Sequence, residues 1–129
     1  MAVKRIGVHC LEIEDKPGSL QKLLADAASA NVDWQCFAAF SAGGGRGRVY
    51  ASAKQPETFK ALGLEATAAV GFIISGGDKV GAAAEALKGL ADAGISGVAG
   101  AAMVCDGQYQ MLVVVGAGDG DAAEKVLGA

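Results

Sequence analysis

Apolar residues crowd the stretch 6–13, where Val8, Cys10, Leu11 and Ile13 leave few polar positions on either face. A run of this kind predicts a central β-strand, buried or nearly so on both sides. From Ser19 the period changes. Leu20, Leu23, Leu24, Ala27 and Ala28 recur at the spacing of an amphipathic helix over residues 19–30, with Gln21, Lys22, Asp26 and Ser29 on the outer face. Asn31-Val32-Asp33 breaks that helix. Residues 34–41 and 48–53 then read as two strands of a hairpin joined across Gly43-Gly44-Gly45-Arg46-Gly47. A short helix over residues 56–62 follows, with Pro56 in its first turn and Gly63 behind it. A strand from about Leu64 would complete the order β-α-β-β-α-β.

The turn Asp15-Lys16-Pro17-Gly18, between the first strand and the first helix, returns 63 positions later as Asp78-Lys79-Val80-Gly81, after Phe72-Ile73-Ile74. One unit is used twice. In the second copy a helix is expected over residues 80–93, striped by Val80, Ala83, Leu87, Leu90 and Ala91, with Asp78 placed to cap its start. Gly94-Ile95-Ser96 matches Asn31-Val32-Asp33, residues 98–105 and 108–116 form a hairpin across Asp106-Gly107, and a short helix over 121–127 closes the chain. Residues 64–75 are too few for a closing strand, a turn and a new opening strand, so they are either one long strand serving both halves or two short ones broken at Gly71. The expected units are residues 1–66 and 67–129, the second lacking its final strand or borrowing one. Gly97 and Gly100 stand where the first copy has Trp34 and Phe37, which marks the second as a thinner, closely packing partner.

Units of this size bury too little surface to be robust alone, so two within 129 residues should pack on each other. Eleven basic against 14 acidic residues give a net charge of −3, and the basic residues are scattered, which argues against nucleic acid as a partner. Arg46 and Arg48 read as a charged hairpin tip keeping a sheet edge soluble. The glycine cluster beside them joins two strands and opens no helix, so it lacks the context of a phosphate cradle. Cys10, Cys36 and Cys105 have no zinc or redox spacing and are expected as buried free thiols in a reducing cytoplasm. The N-terminus lacks a secretory pattern, and the longest apolar run falls well below the ~18 residues of a membrane helix. The expectation is a soluble cytoplasmic protein with no membrane partner, no metal and no cofactor. His9, the single histidine, has no visible catalytic partner, and no nucleophile or acid–base set stands out, so no catalytic residues are assigned.

The first unit resembles the ACT domain, a small ferredoxin-like module that binds amino acids in metabolic enzymes. The resemblance rests on Leu11-Glu12-Ile13-Glu14, on Asp15-Lys16-Pro17-Gly18-Ser19-Leu20, on the leucine-striped helix and on Ala30-Asn31-Val32-Asp33-Trp34. It covers the first half well, whereas the second half keeps Asp78-Lys79 and Gly81 without the proline. Asn31 stands where a glycine is more usual, and Asp33 where an asparagine is. The resemblance implies an α+β fold of two ferredoxin-like (βαββαβ) ACT-type units, with antiparallel sheets and helices on one face. It also implies a non-catalytic regulatory protein, a small effector that is an amino acid, a homodimer and a metabolic enzyme as partner. Ligand-binding candidates carried over are Asp15, Lys16, Pro17, Gly18, Ser19, Leu20 and Asp33. Independently of the family, helix-start amides attract a carboxylate, and Asp15 or Asp33 would hold an ammonium, while the plainer role for Asp15 is to cap the helix. The rival readings are a ligand-free interaction module and a small enzyme using His9.

Overall fold

The opening strand is longer than its hydrophobic run predicts. In the computed structural model, which describes residues 1–128, β1 spans Ala2–Glu14. It is followed by α1 (Ser19–Ser29), β2 (Trp34–Gly43), β3 (Arg46–Ala53), α2 (Pro56–Lys60), β4 (Thr67–Gly77), α3 (Ala82–Asp92), β5 (Ala99–Cys105), β6 (Gln108–Gly116) and α4 (Gly120–Leu127). Six strands and four α-helices among the described residues make the class α+β. Among those residues, no helix is long and apolar enough to cross a membrane.

Two units emerge, Gly7–Ala68, and Met1–Ile6 together with Ala69–Ala129. This division differs from a cut after residue 66 chiefly in the first six residues, for which the side chains supply the reason. Val3 packs against the core of Phe72, Ile74 and Val115. The Arg5 guanidinium donates hydrogen bonds to Asp121 at 2.9 Å and Glu124 at 2.7 Å on α4. Residues 1–6 thus group with the unit that starts at Ala69, where β1 lies beside β4.

In the unit Gly7–Ala68 the strand order is β2-β3-β1, all antiparallel. Leu11, Val49, Ala51 and Ala53 face α1 and α2, where Leu23, Ala27 and Phe59 complete the core. Alternation on the strands and the i, i+4 spacing of Leu23 and Ala27 turn both apolar faces inward. Ala28, expected on the stripe, is exposed. Arg46 and Arg48 lie on the inner strand of this order, where Arg46 pairs with Glu12 at 2.7 Å and Arg48 approaches it at 3.7 Å. They are cross-strand partners of Glu12, and the expected guarding of an edge is corrected accordingly.

In the other unit the order is β1-β4-β6-β5, with residues 2–6 in the β1 place. β4 is one strand, since its antiparallel ladder to β6 runs unbroken from Ala69 to Gly77 and carries Gly71 opposite Val114. Tyr109, Met111, Val113 and Val115 alternate toward α3 and α4 and meet Ala86, Leu90, Ala123 and Leu127. Close helix packing is set by Gly89, where an added Cβ would stand 2.7 Å from Val126.

Three expectations in this unit are corrected. Helix α3 starts at Ala82, because Gly81 is its N-cap at φ 85°, and this left-handed residue puts Val80 outside the helix and in solvent. The buried face is Ala82, Ala86 and Leu90, and no side chain caps the start, so Asp78 is not the cap. Gly97 and Gly100 do not mediate tight packing. They leave an open apolar groove of about 550 Å³ between α3 and the outer strand β5. Cys105, at the end of β5, is exposed, while Cys10 and Cys36 are half-buried, which corrects the expectation of buried thiols.

Leu23→Ala should cost about 2 to 5 kcal/mol by deleting a core side chain. Val80→Ser should stay within about 0.5 kcal/mol, as expected at an exposed site. Urea unfolding of the two variants checks both figures.

Candidate ligand site

The turn after β1 is built from backbone first. The Asp15 N–H donates to the Gly45 carbonyl at 2.9 Å, and Gly18 adopts φ 87°, a conformation in which a Cβ would be strained. Ser19 N–H donates to Lys16 O and Lys22 N–H to Gly18 O, while no side chain caps α1. Between them the Leu20 and Gln21 amides are left without a cap and can meet an anion.

Beside this turn lies a groove of about 530 Å³. Leu11, Ile13 and Leu23 give it apolar walls, and Lys16, Ser19 and Lys22 rim the helix side. Glu12, Glu14 and Asp26 bring negative charge, with Leu62, Leu64 and Glu65 also lining the groove. Lys16 pairs with Glu14 at 3.0 Å and Lys22 with Asp26 at 2.8 Å. All these pairs are exposed, so their charges are available to exchange partners with a solute. An apolar floor with both signs of charge at its rim suits a zwitterion.

The seven residues singled out from the sequence do not all converge. Lys16 and Ser19 line the groove. Gly18 shapes the turn, and Pro17 is exposed two residues before α1 begins. Asp15 neither caps the helix nor faces the groove, because its carboxylate accepts a 2.6 Å hydrogen bond from the Ser41 hydroxyl. Leu20 packs on the core. Asp33 lies past the far end of α1, whose 11 residues span ~16 Å, and pairs with Lys54 at 3.1 Å. Asn31, the departure from glycine, sits at φ 59°, and Gly94 takes φ 72° at the matching place. Both satisfy one left-handed position, which Asn tolerates.

Sequence reasoning missed Lys22, Glu12 and Glu14. Lys22 was within reach, since it stands three residues after Ser19 on the same helix face. Leu64 and Glu65 carried no local signal, because tertiary folding alone brings them to the groove.

His9 is held by stacking. Its ring lies 4.0 Å from that of Phe59 at 9°, with Trp34 edge-on to Phe59 at 6.1 Å. Its Nδ1 is buried without a hydrogen-bond partner among the described residues. Burial, and secondarily the charge of Lys60, hold its pKa below the ordinary imidazole value. No metal-holding group of three or more His, Cys, Asp or Glu side chains occurs among the described residues.

No family model matches the chain, and no curated protein does. Solved structures do. Protein BT0572 from Bacteroides thetaiotaomicron aligns at 16% identity over 95% of this chain and 88% of its own, with a TM-score of 0.74. The ligand-free regulatory subunit of aspartate kinase from Thermus thermophilus aligns at 17% over 98% and 93%, with a TM-score of 0.67. Aspartate kinase from Synechocystis aligns at 21% over 98% of this chain and 26% of the enzyme, with a TM-score of 0.65. The fold is ACT-like, similar to the regulatory domains of aspartate kinases.

Because the folded state disfavours the charged imidazole, the unfolded chain binds the extra proton first as pH falls. The neutral form's contribution is fully present above ~6.5, the unfolded imidazole pKa, and declines as pH drops through that value. His9→Phe should flatten this part of the stability profile, measured as the urea midpoint against pH.

Proposed function

We propose that the chain is a non-catalytic regulatory protein made of two ACT-type units of ferredoxin-like pattern, which binds an amino acid in the groove beside Lys16 and Ser19 and modulates an enzyme of amino-acid metabolism. The observation that carries this reading is the pairing of uncapped α1 amides with an apolar groove rimmed by Lys22 and Glu14. The α-carboxylate meets the helix start and Lys22, and the ammonium meets Glu12 or Glu14. Asp15 positions the turn through Ser41, and Asp33 serves the helix exit. Similarity to regulatory subunits of aspartate kinase supports the regulatory role and a metabolic-enzyme partner.

The alternative is a ligand-free interaction module. Phe37 and Phe40, 42% and 49% exposed on the outer strand β2, favour a protein partner, and a second copy in a homodimer is the simplest one.

A thermal-shift screen of the twenty amino acids should raise the melting temperature with at least one, since ligand at ~100 times its Kd adds about 2.7 kcal/mol to the native state. Lys22→Glu, exposed and so harmless to the fold, should abolish that shift. If no amino acid moves the transition, the effector reading fails and the interaction module takes its place. Solution mass, measured alongside, tests the dimer.

A further inference from the structure

Among the described residues, His9 Nδ1 is the one buried side-chain nitrogen or oxygen without a hydrogen-bond partner. The fold does not demand it. His9 stands opposite Ala51 on β3, and the same station in the other unit, opposite Val113 on β6, belongs to Phe72, which is fully buried in that core. A phenylalanine therefore fits this place under the helices, and the histidine leaves a polar atom unmet where a phenyl ring would not.

What the ring does is hold Phe59, stacked on it at 4.0 Å and 9°. Phe59 is the buried residue of α2, a helix of five residues, so the stack is a main attachment of that helix to the sheet. The chain beyond α2 is tied to it through the backbone, with the Leu62 N–H donating to Phe59 O at 3.0 Å and the Gly63 N–H to Lys60 O at 3.1 Å. Leu62, Leu64 and Glu65 then line one side of the groove of about 530 Å³ whose apolar walls include Leu11 and Ile13, on the same strand face as His9. Ring, helix and groove wall form one continuous set of contacts. The other unit has a smaller groove beside its turn, of about 270 Å³ and lined by Lys79, Glu85 and Tyr109 among others. There Phe72 fills the station of His9, and no group at that place takes a proton.

We propose that His9 is a proton-operated latch on the first groove: the neutral ring holds Phe59 down and keeps residues 61–65 in place as a groove wall, and a second proton on the ring releases both. That proton leaves an N–H at Nδ1, whichever tautomer it joins, where no acceptor meets it. Attraction of the imidazolium to the Phe59 face opposes release. It is the smaller effect, since burial holds the His9 pKa below the ordinary imidazole value, with the charge of Lys60 adding to it. Lys60 is the charged group of α2 that acts on the ring, and Glu57 on the same helix is exposed. From β3 the ring meets Ala51, while Arg46 and Arg48 reach Glu12. Strand β4 has no titratable residue, Trp34 stands on β2, and on α1 Lys22 and Asp26 pair with each other. The latch is therefore closed at neutral pH, and release sets in as pH falls through ~6.5, the value of the freed imidazole. The latch itself does not depend on which solute the groove takes, and only its effect on binding rests on the reading given above.

The test is amide hydrogen exchange, read by heteronuclear NMR on the whole ligand-free chain at pH values above and below ~6.5, each rate divided by the intrinsic rate at that pH. The Leu62 and Gly63 amides should lose protection several-fold on acidification, while the amides of β6 keep theirs. His9→Phe, the residue that the other unit carries at this station, keeps the stack and takes no proton, so its Leu62 and Gly63 amides should be equally protected across the range. The exposed Lys60→Met should move the loss to higher pH, because it removes a charge that holds the imidazole pKa down. Unchanged protection in the parent chain overturns the proposal. So does an equal loss in His9→Phe, or an equal loss in β6, which is the mark of global unfolding. Should His9→Phe not fold, His9→Leu, equally unable to take a proton, serves in its place, and should neither fold, Lys60→Met decides. No ligand is present in any arm, so a negative amino-acid screen leaves this result standing, and a negative result here leaves the ligand reading standing.

Discussion

Both strand-to-helix turns depend on one backbone state, a residue with positive φ immediately before the helix. Gly18 at 87° and Gly81 at 85° hold it, and only glycine does so without strain. A left-handed residue at this point ends the strand and starts the helix on a new axis without a side chain to satisfy the first amides. The uncapped helix starts are a consequence of the geometry that makes the turn. They place open N–H donors beside a groove in each unit, and everything proposed about ligands starts from that arrangement.

The long strand β1 is the second constraint. Its later residues join the core around Leu23 and Phe59, while Val3 and Arg5 belong to the Phe72 core and to α4. A strand of 13 residues exceeds the usual ~5 to 6, and here the excess supplies a strand to the other unit. Helix α4 packs on the same core that Val3 covers.

Between the two units, the side chains at the turns differ more than the backbone does. Lys22 in the first groove stands where Glu85 stands in the second, and the bulky member of the Ile13–Gly47 pair moves across to become Tyr109. A cross-strand pair tolerates such an exchange because the two Cβ positions share one volume above the sheet. The exchange replaces an aliphatic wall with a phenol and narrows the groove. The small residues of β5 leave the other long groove open, at about 550 Å³, with no polar side chain in its lining.

Local sequence determined the two like turns at Gly18 and Gly81, the β-α-β-β-α order of the first unit and the Leu23–Ala27 core face, because period 3.6, period 2 and glycine punctuation are written within a few residues of one another. It determined the turn too, and with it Lys16, Gly18 and Ser19. It misplaced the α3 stripe by reading Val80 as helical, since residue spacing does not show that the left-handed Gly81 resets the phase. Asp15 and Asp33 looked alike as acidic groups flanking one helix, yet Ser41 and Lys54, distant in the chain, claim them. Leu64 at the first groove, Met1 and Tyr109 at the second, and the unit to which residues 1–6 belong were decided by tertiary structure alone. Those contacts join segments more than 20 residues apart, and strand pairing and helix packing bring them together without leaving any periodic mark in the residues between.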